Sequence, residues 1–312
     1  MTHPIVILSF NRPRYFQRVI DSLAAQQCAS IRDRDVFLFQ DGCRNSFSGV
    51  SYCGDNVVRD NIEYFSSRFP RGTVFPSASN LGVALNFERA ESFTFDDLRA
   101  EAGLFFEDDL VLGPRYLAIL DRLIAMCLES HNIGYASAYG NHRASLREQQ
   151  DRIQQLTRMQ HFWGFGETRR QWLLEKPWRD SYLDLVRDRD YRLRDHKRIA
   201  ELFRSWSLGV PGTSRDVARS HACVLSDTAR INTFACYARY IGARGVHFTP
   251  RSFARMGFDR TKMIIGVDPA FSFPEDDFVS RILDEARLAA AHSHPSLCRL
   301  LGQASDNPSA VE

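Results

Sequence analysis

The sequence predicts an α/β protein built on a mainly parallel sheet flanked by helices, with a more elaborated C-terminal part. Three observations carry this. Short apolar runs, Ile5–Leu8, Val36–Phe39 and Thr73–Phe75, are each closed by turn-forming residues, and the first and last lead into segments with helical spacing. These runs are continuous rather than alternating, as expected of strands covered on both faces. A further run, Gly103–Phe106, leads directly into Glu107, Asp108 and Asp109, with apolar Leu110–Leu112 beyond, so three acids stand at the end of a buried strand.

Taken in order, Ile5–Leu8 ends at Ser9-Phe10-Asn11-Arg12-Pro13, and residues 14–27 place Phe16, Val19, Ile20 and Leu23 on one helical face. Arg12 lies in the loop above the strand, either meeting a phosphate or base edge or simply solvated. Val36–Phe39 closes at Gln40-Asp41-Gly42; Asp41 would accept from a ribose hydroxyl or base imide, or cap the next turn. Residues 44–60 read as loop and helix start. After Thr73–Phe75, Asn80-Leu81-Gly82 opens a helix to Ser92. Two repetitions of strand, loop and helix before the acidic strand imply crossover helices on a parallel sheet.

Beyond the acids, Pro114 starts a helix with Leu117, Leu120, Leu123, Ile124 and Cys127 inward, and Ile133–Tyr139 reads as a strand. Residues 141–155 have no apolar period and read as a mobile loop or exposed helix. Residues 161–172 alternate aromatics with glycines, which suits a sugar-ring wall but equally a core. Residues 187–204 read as a solvated helix with internal ion pairs, with an anionic acceptor or lipid surface as the alternative. Ser226-Asp227 is read as the cap of a helix to Ile241, residues 242–249 as turn and strand, 250–259 as loop, 276–291 as a helix and 302–312 as a frayed end. The predicted division is a domain over 1–268, with halves meeting near 115, and a helical extension over 269–312.

The net charge of +2 gives no field of the kind that points to nucleic acid. Seven cysteines without paired spacing argue for a reducing compartment and against a disulfide framework or a structural zinc site. The chain opens without a basic, apolar leader, and no apolar run approaches the roughly 20 residues that span a bilayer. A cytoplasmic protein is expected, with peripheral contact at the inner face of a membrane left open.

Together these residues resemble the GT-A glycosyltransferases, the nucleotide-sugar-dependent group that includes family 2 and the metal-dependent N-acetylglucosaminyltransferases. The opening strand and Ser9–Arg12, Gln40-Asp41, Asn80-Leu81-Gly82 and Glu107-Asp108-Asp109 match the family's motifs in order, the last standing where its metal-binding acids are expected. The resemblance covers residues 1 to about 115 well and 160 to 260 loosely. It implies a Rossmann-like GT-A sheet, Mn²⁺ or Mg²⁺ on Asp109, and a UDP-linked sugar met by Ser9, Asn11, Arg12, Asp41, Asn80, Gly82, Glu107 and Asp108. Trp163, Gly164, Phe165 and Glu167 are implied on the acceptor side, for a glycan or glycolipid hydroxyl. If the reaction inverts, Asp227 is the implied base, with Asp216, Asp180 and Glu167 as rivals; His221 and His247 are candidate metal or phosphate partners. The alternatives are a sugar nucleotidyltransferase, disfavoured because Ser9–Pro13 lacks glycine, and an inactive binding module of the same fold.

Overall fold

The computed structural model describes residues 2–28, 31–245 and 249–302. The strands are β1 (Ile5–Ser9), β2 (Val36–Gln40), β3 (Thr73–Pro76), β4 (Ala102–Glu107), β5 (Leu110–Leu112), β6 (Ile133–Ser137), β7 (Leu156–Arg158), β8 (Gly164–Thr168), β9 (Ala229–Thr233) and β10 (Ala238–Tyr240). Eight of them form one sheet in the order β3-β2-β1-β4-β8-β6-β9-β7, and β5 pairs with β10 in a separate two-stranded sheet. The pairings leave six strands of the large sheet running one way, with β8 and β7 opposed.

The helices are α1 (Pro13–Ala24), α2 (Asp55–Arg68), α3 (Gly82–Ser92), α4 (Tyr116–Glu129), α5 (Leu146–Asp151), α6 (Arg169–Leu174), α7 (Lys176–Val186), α8 (His196–Ser205), α9 (Arg215–Leu225), α10 (Pro250–Arg255), α11 (Asp276–Ala291) and α12 (Pro295–Leu300). Strand period explains how they cover the sheet. Ile5 and Ile7 point into a core shared with Phe16 of α1 and Leu120 of α4, while Val6 and Leu8 point into the opposite core with Phe87 of α3. Burial on both faces is why the apolar runs are unbroken. Truncating a residue such as Phe106, buried to zero exposure, costs about 3–5 kcal/mol. In the segment read as an extension, α11 inserts Val279, Ile282 and Leu283 into the first core. Among the described residues no helix is long and apolar enough to cross a membrane.

Several expectations are corrected. Residues 226–241 are not a helix: they form β9, an irregular link and β10, and the helix lies before them as α9, capped by Ser214, which accepts from the Val217 N–H. The spacing of Ile231, Phe234, Ala238 and Ile241 imitates a helical face because polar Arg230, Asn232, Thr233 and Arg239 fall between them, although the first three are buried in the sheet. Residues 161–168 hold the strand β8. Residues 250–255 form α10, with a capping box at Thr249, and the 187–204 segment breaks before α8 so that Tyr191 turns inward. Residues 246–248 and 303–312 lie outside the described residues, and with them most of the expected strand before Thr249 and of the expected frayed end.

Candidate functional site

The carboxyl ends of β1, β2 and β4 stand side by side, so the loops after them share one edge. β4 delivers Glu107 as its last residue, and Asp108-Asp109 is the two-residue turn into β5. Both ends of the turn are held: the Glu107 N–H donates to Trp163 O at 2.8 Å, and the Ile241 N–H donates to Asp109 O at 2.8 Å. Asp108 and Asp109 are buried, and Glu107 is half-buried.

Arg12 reaches across from the end of β1. Its Nη1 donates to Asp109 Oδ2 at 2.6 Å and its Nη2 donates to Asp108 Oδ1. Burial works against the guanidinium charge, but these two carboxylates more than reverse it and hold Arg12 well above its usual range. Asp109 is pushed up to about 6, first by burial, with Arg12 and the Tyr240 hydroxyl opposing and Asp108 reinforcing. Burial, then Asp109, then Asp216 carry Glu107 well above the carboxylate range. One guanidinium therefore faces an excess of acids, and the surplus negative charge calls for a proton or a cation.

Two buried oxygens of this pair, Asp108 Oδ2 and Asp109 Oδ1, have no hydrogen-bond partner among the described residues. Among the described residues no three His, Cys, Asp or Glu side chains converge as a preformed cation cage. The donor set is hard carboxylate oxygen, two of them unsatisfied, which fits Mg²⁺ or Mn²⁺ completed by phosphate oxygens and water.

Asp41 has a different task. Its Oδ1 accepts from the N–H groups of Gly42 (2.9 Å) and Leu81 (2.7 Å), and its Oδ2 accepts from the Gly82 N–H (3.0 Å) and Asn80 Nδ2 (2.8 Å). Four donors occupy the carboxylate, so Asp41 fixes the Asn80–Gly82 turn rather than offering an open acceptor. Burial nonetheless raises it to about 6. Gly82 has φ +77, and a Cβ there would meet Tyr191 Cβ at 2.5 Å. Ser9 and Asn11 are braces as well: Asn61 Nδ2 donates to Ser9 Oγ at 3.2 Å, and Asn11 Nδ2 donates to Tyr52 O at 3.2 Å.

On the far side of the acids, Trp163 carries Tyr240 stacked at 3.7 Å and His161 at 4.2 Å between ring centroids, with Phe258 edge-on. The chain then passes directly over Asp109, and Gly242 permits it: a Cβ there would meet Tyr240 Oη at 2.3 Å and Asp109 Oδ2 at 2.6 Å. Tyr240, Gly242 and His161 are missing from the sequence-based set. A strand ending in Tyr-Ile-Gly would have singled out the first two, had β10 been recognised.

The remaining expectations separate. β8 runs antiparallel to β4, so it leads away from the acids: Gly164 lies opposite Phe106, but Glu167 lies opposite Gly103. Phe165 is fully buried in the core and is not an exposed wall. Glu167 is fully buried between Tyr135 and Arg219, and burial pushes it up to about 8. Asp227 is corrected outright. It precedes β9, which runs parallel to β4 through β6, so it sits at the edge opposite the acids; its side chain is 69% exposed and paired with Arg287. Asp180 is half-buried on α7, paired with Lys176. His221 Nε2 lies 3.0 Å from Gly209 O inside the core, and burial lowers it to about 4. His247 lies outside the described residues. Asp216, in the first turn of α9 with its side chain 44% exposed, is the rival that stands near enough to act on Glu107.

No protein-family model and no curated protein sequence matches the chain. Among solved structures it is similar to S. aureus TarS, at 13% identity and TM-score 0.43 over 96% of this chain and 69% of that one, and it covers 37% of a longer TarS chain. It is also similar to the mannosyltransferase PcManGT from Pyrobaculum calidifontis, solved with GDP-Man and Mn²⁺, at 11% identity and TM-score 0.46 over 97% and 80% of the two chains. A third is glucosyl-3-phosphoglycerate synthase from Mycobacterium tuberculosis, solved with Mn²⁺, UDP and glucosyl-3-phosphoglycerate, at 14% identity and TM-score 0.36 over 98% and 81%. At these scores the likeness concerns the course of the backbone and assigns no residue.

Proposed function

We propose that this protein is a glycosyltransferase that moves a sugar from a nucleoside diphosphate donor to an acceptor hydroxyl, with a divalent cation held by Asp109 and Asp108. The observation that carries the reading is the pair of buried carboxylate oxygens, without a partner among the described residues, at the carboxyl end of β4, facing an arginine from the end of β1. A cation bound there supplies Lewis acidity to a departing diphosphate.

This chain's own residues supply the rest. Arg12 is a permanent charge next to both aspartates, and from the end of β1 it would pair with a diphosphate oxygen. Asp41, through Asn80 and Gly82, holds the turn that borders the nucleoside side. Glu107, whose carboxyl is raised well above the carboxylate range by burial and its acidic neighbours, borders the sugar or ribose side. Asp216 replaces Asp227 as the candidate general base, because it is the accessible carboxylate facing the acids from another element. Trp163, with Tyr240 and His161, borders the acceptor side.

The test is a binding and turnover screen on the full chain: melting temperature with UDP and with GDP, each with and without Mn²⁺, followed by donor-sugar hydrolysis and transfer. A cation-dependent rise in melting temperature with one base, together with turnover, is the expected result. Binding without turnover on any donor would leave only a binding module, and no binding of either nucleotide would overturn the reading.

A further inference from the structure

After Asp41 the chain leaves the sheet as a narrow hairpin that the proposed chemistry does not use. Arg44 bridges Ser51 in antiparallel fashion, the Asn45 N–H donates to Val50 O at 2.9 Å, and the Tyr52 N–H donates to Cys43 O at 2.9 Å. At its neck, Cys53 Sγ donates to Cys43 Sγ across 2.9 Å. Cys43 is buried and Cys53 only partly so.

We propose that Cys43 and Cys53 form a dithiol modification site, oxidised by a small-molecule disulfide to an intramolecular cystine that staples this hairpin. The sulfurs need to close from 2.9 Å to the bonded length of about 2.05 Å. The backbone already fixes the neck through the bonds on either side. In the exchange, the thiolate of Cys53, the more accessible of the two, attacks one sulfur of the reagent, releasing a thiolate that takes up the departing proton. Cys43 then attacks Cys53 Sγ in the mixed disulfide and releases the second reagent thiolate, which takes its proton. Two protein thiols become one disulfide as one reagent disulfide becomes two thiols. Burial and the hydrogen bond to Cys43 push Cys53 up to about 12, so exchange is slow at neutral pH and quickens as pH rises.

The hairpin ties together distant parts of the chain. Asn45 Nδ2 donates to Asn80 O at 3.0 Å, Tyr52 O accepts from Asn11, and both Ser48 Oγ and the Tyr52 hydroxyl donate to Asp190 Oδ2 at 2.5 Å. A staple at the neck therefore firms up the loops bordering Arg12 and Asp41 without obstructing them. This rests on the two thiols alone and stands whether or not the chain transfers sugars.

The experiment treats the folded full chain with oxidised glutathione at pH 8, then counts thiols after unfolding and maps the peptides. The expected result is a fall from the seven thiols of the sequence to five, a Cys43–Cys53 linked peptide and a monomeric chain. The melting temperature rises by roughly 5 °C, and amide exchange at Asn45 and Tyr52 slows roughly tenfold. Cys53→Ser should keep its six remaining thiols and its melting temperature under the same treatment. Retention of all seven thiols until the chain is unfolded, a stable glutathione adduct, or a disulfide-linked dimer would each overturn the proposal.

Discussion

The molecule buries two groups of charges, and they are built on opposite terms. Beneath α9, Glu91, Glu167 and Glu175 meet Arg215 and Arg219: Glu91 Oε1 takes both arginines, and Arg219 also reaches Glu167 at 3.4 Å. Tyr135 Oη lies 2.9 Å from Glu167 and 2.8 Å from Glu175. A hydroxyl has one hydrogen to give, so one of these glutamates donates in return and carries a proton, in keeping with Glu167 being raised to about 8. That group sets two arginines against three glutamates, although Glu91 Oε2 and Arg215 Nη1 are themselves buried without a hydrogen-bond partner among the described residues. At the end of β4, by contrast, three acids, Glu107, Asp108 and Asp109, stand against a single arginine, Arg12, among the described residues. The lesson is that burial and perturbed acidity alone do not mark a site: the imbalance does.

Four substitutions or titrations would break or sharpen that contrast. The largest effect is expected from Asp109→Asn, which keeps the shape of the turn and removes the charge. Turnover should fall by roughly 10³-fold and Mn²⁺ binding should vanish, with the melting temperature little changed; retained turnover would place the chemistry elsewhere. Arg219→Met should do the reverse, costing about 3 kcal/mol of stability in denaturant titration because Glu91 loses a partner, with any loss of turnover following the unfolded fraction. Asp216→Asn should lower kcat by roughly 10²-fold and leave nucleotide affinity unchanged. Smallest is the effect of acid. Asp109 takes up a proton as pH falls through about 6, and a bound cation must displace it, so Mn²⁺ affinity measured by calorimetry should be flat above that pH and drop about tenfold per unit below.

The N-terminal half was readable because its strands are apolar runs separated by turns and amphipathic helices, and the helical face Phe16, Val19, Ile20 and Leu23 is the buried one. β8 was not. Gly164 and Gly166 look like loop residues, yet a Cβ at these positions would meet Leu110 at 2.5 Å and Ile124 at 2.3 Å, so close packing against neighbours demands them within a strand. The misplaced helix over 226–241 led directly to Asp227, since a base inferred from a helix start inherits any error in that start. The acidic triplet was legible as a motif. That Arg12 bridges it, that Asp41 is fully occupied, and that Asp216 approaches from α9 all depend on contacts between residues far apart in sequence.

Asp108 and Asp109 are the whole connection between a strand of the large sheet and a strand of the small one. Two residues offer almost no slack. Any tilt of the β5–β10 ribbon, and of the Tyr240 ring it carries, must be felt as torque on the aspartates, so pressure applied at the aromatic wall can reset the spacing of the acids with no intervening lever.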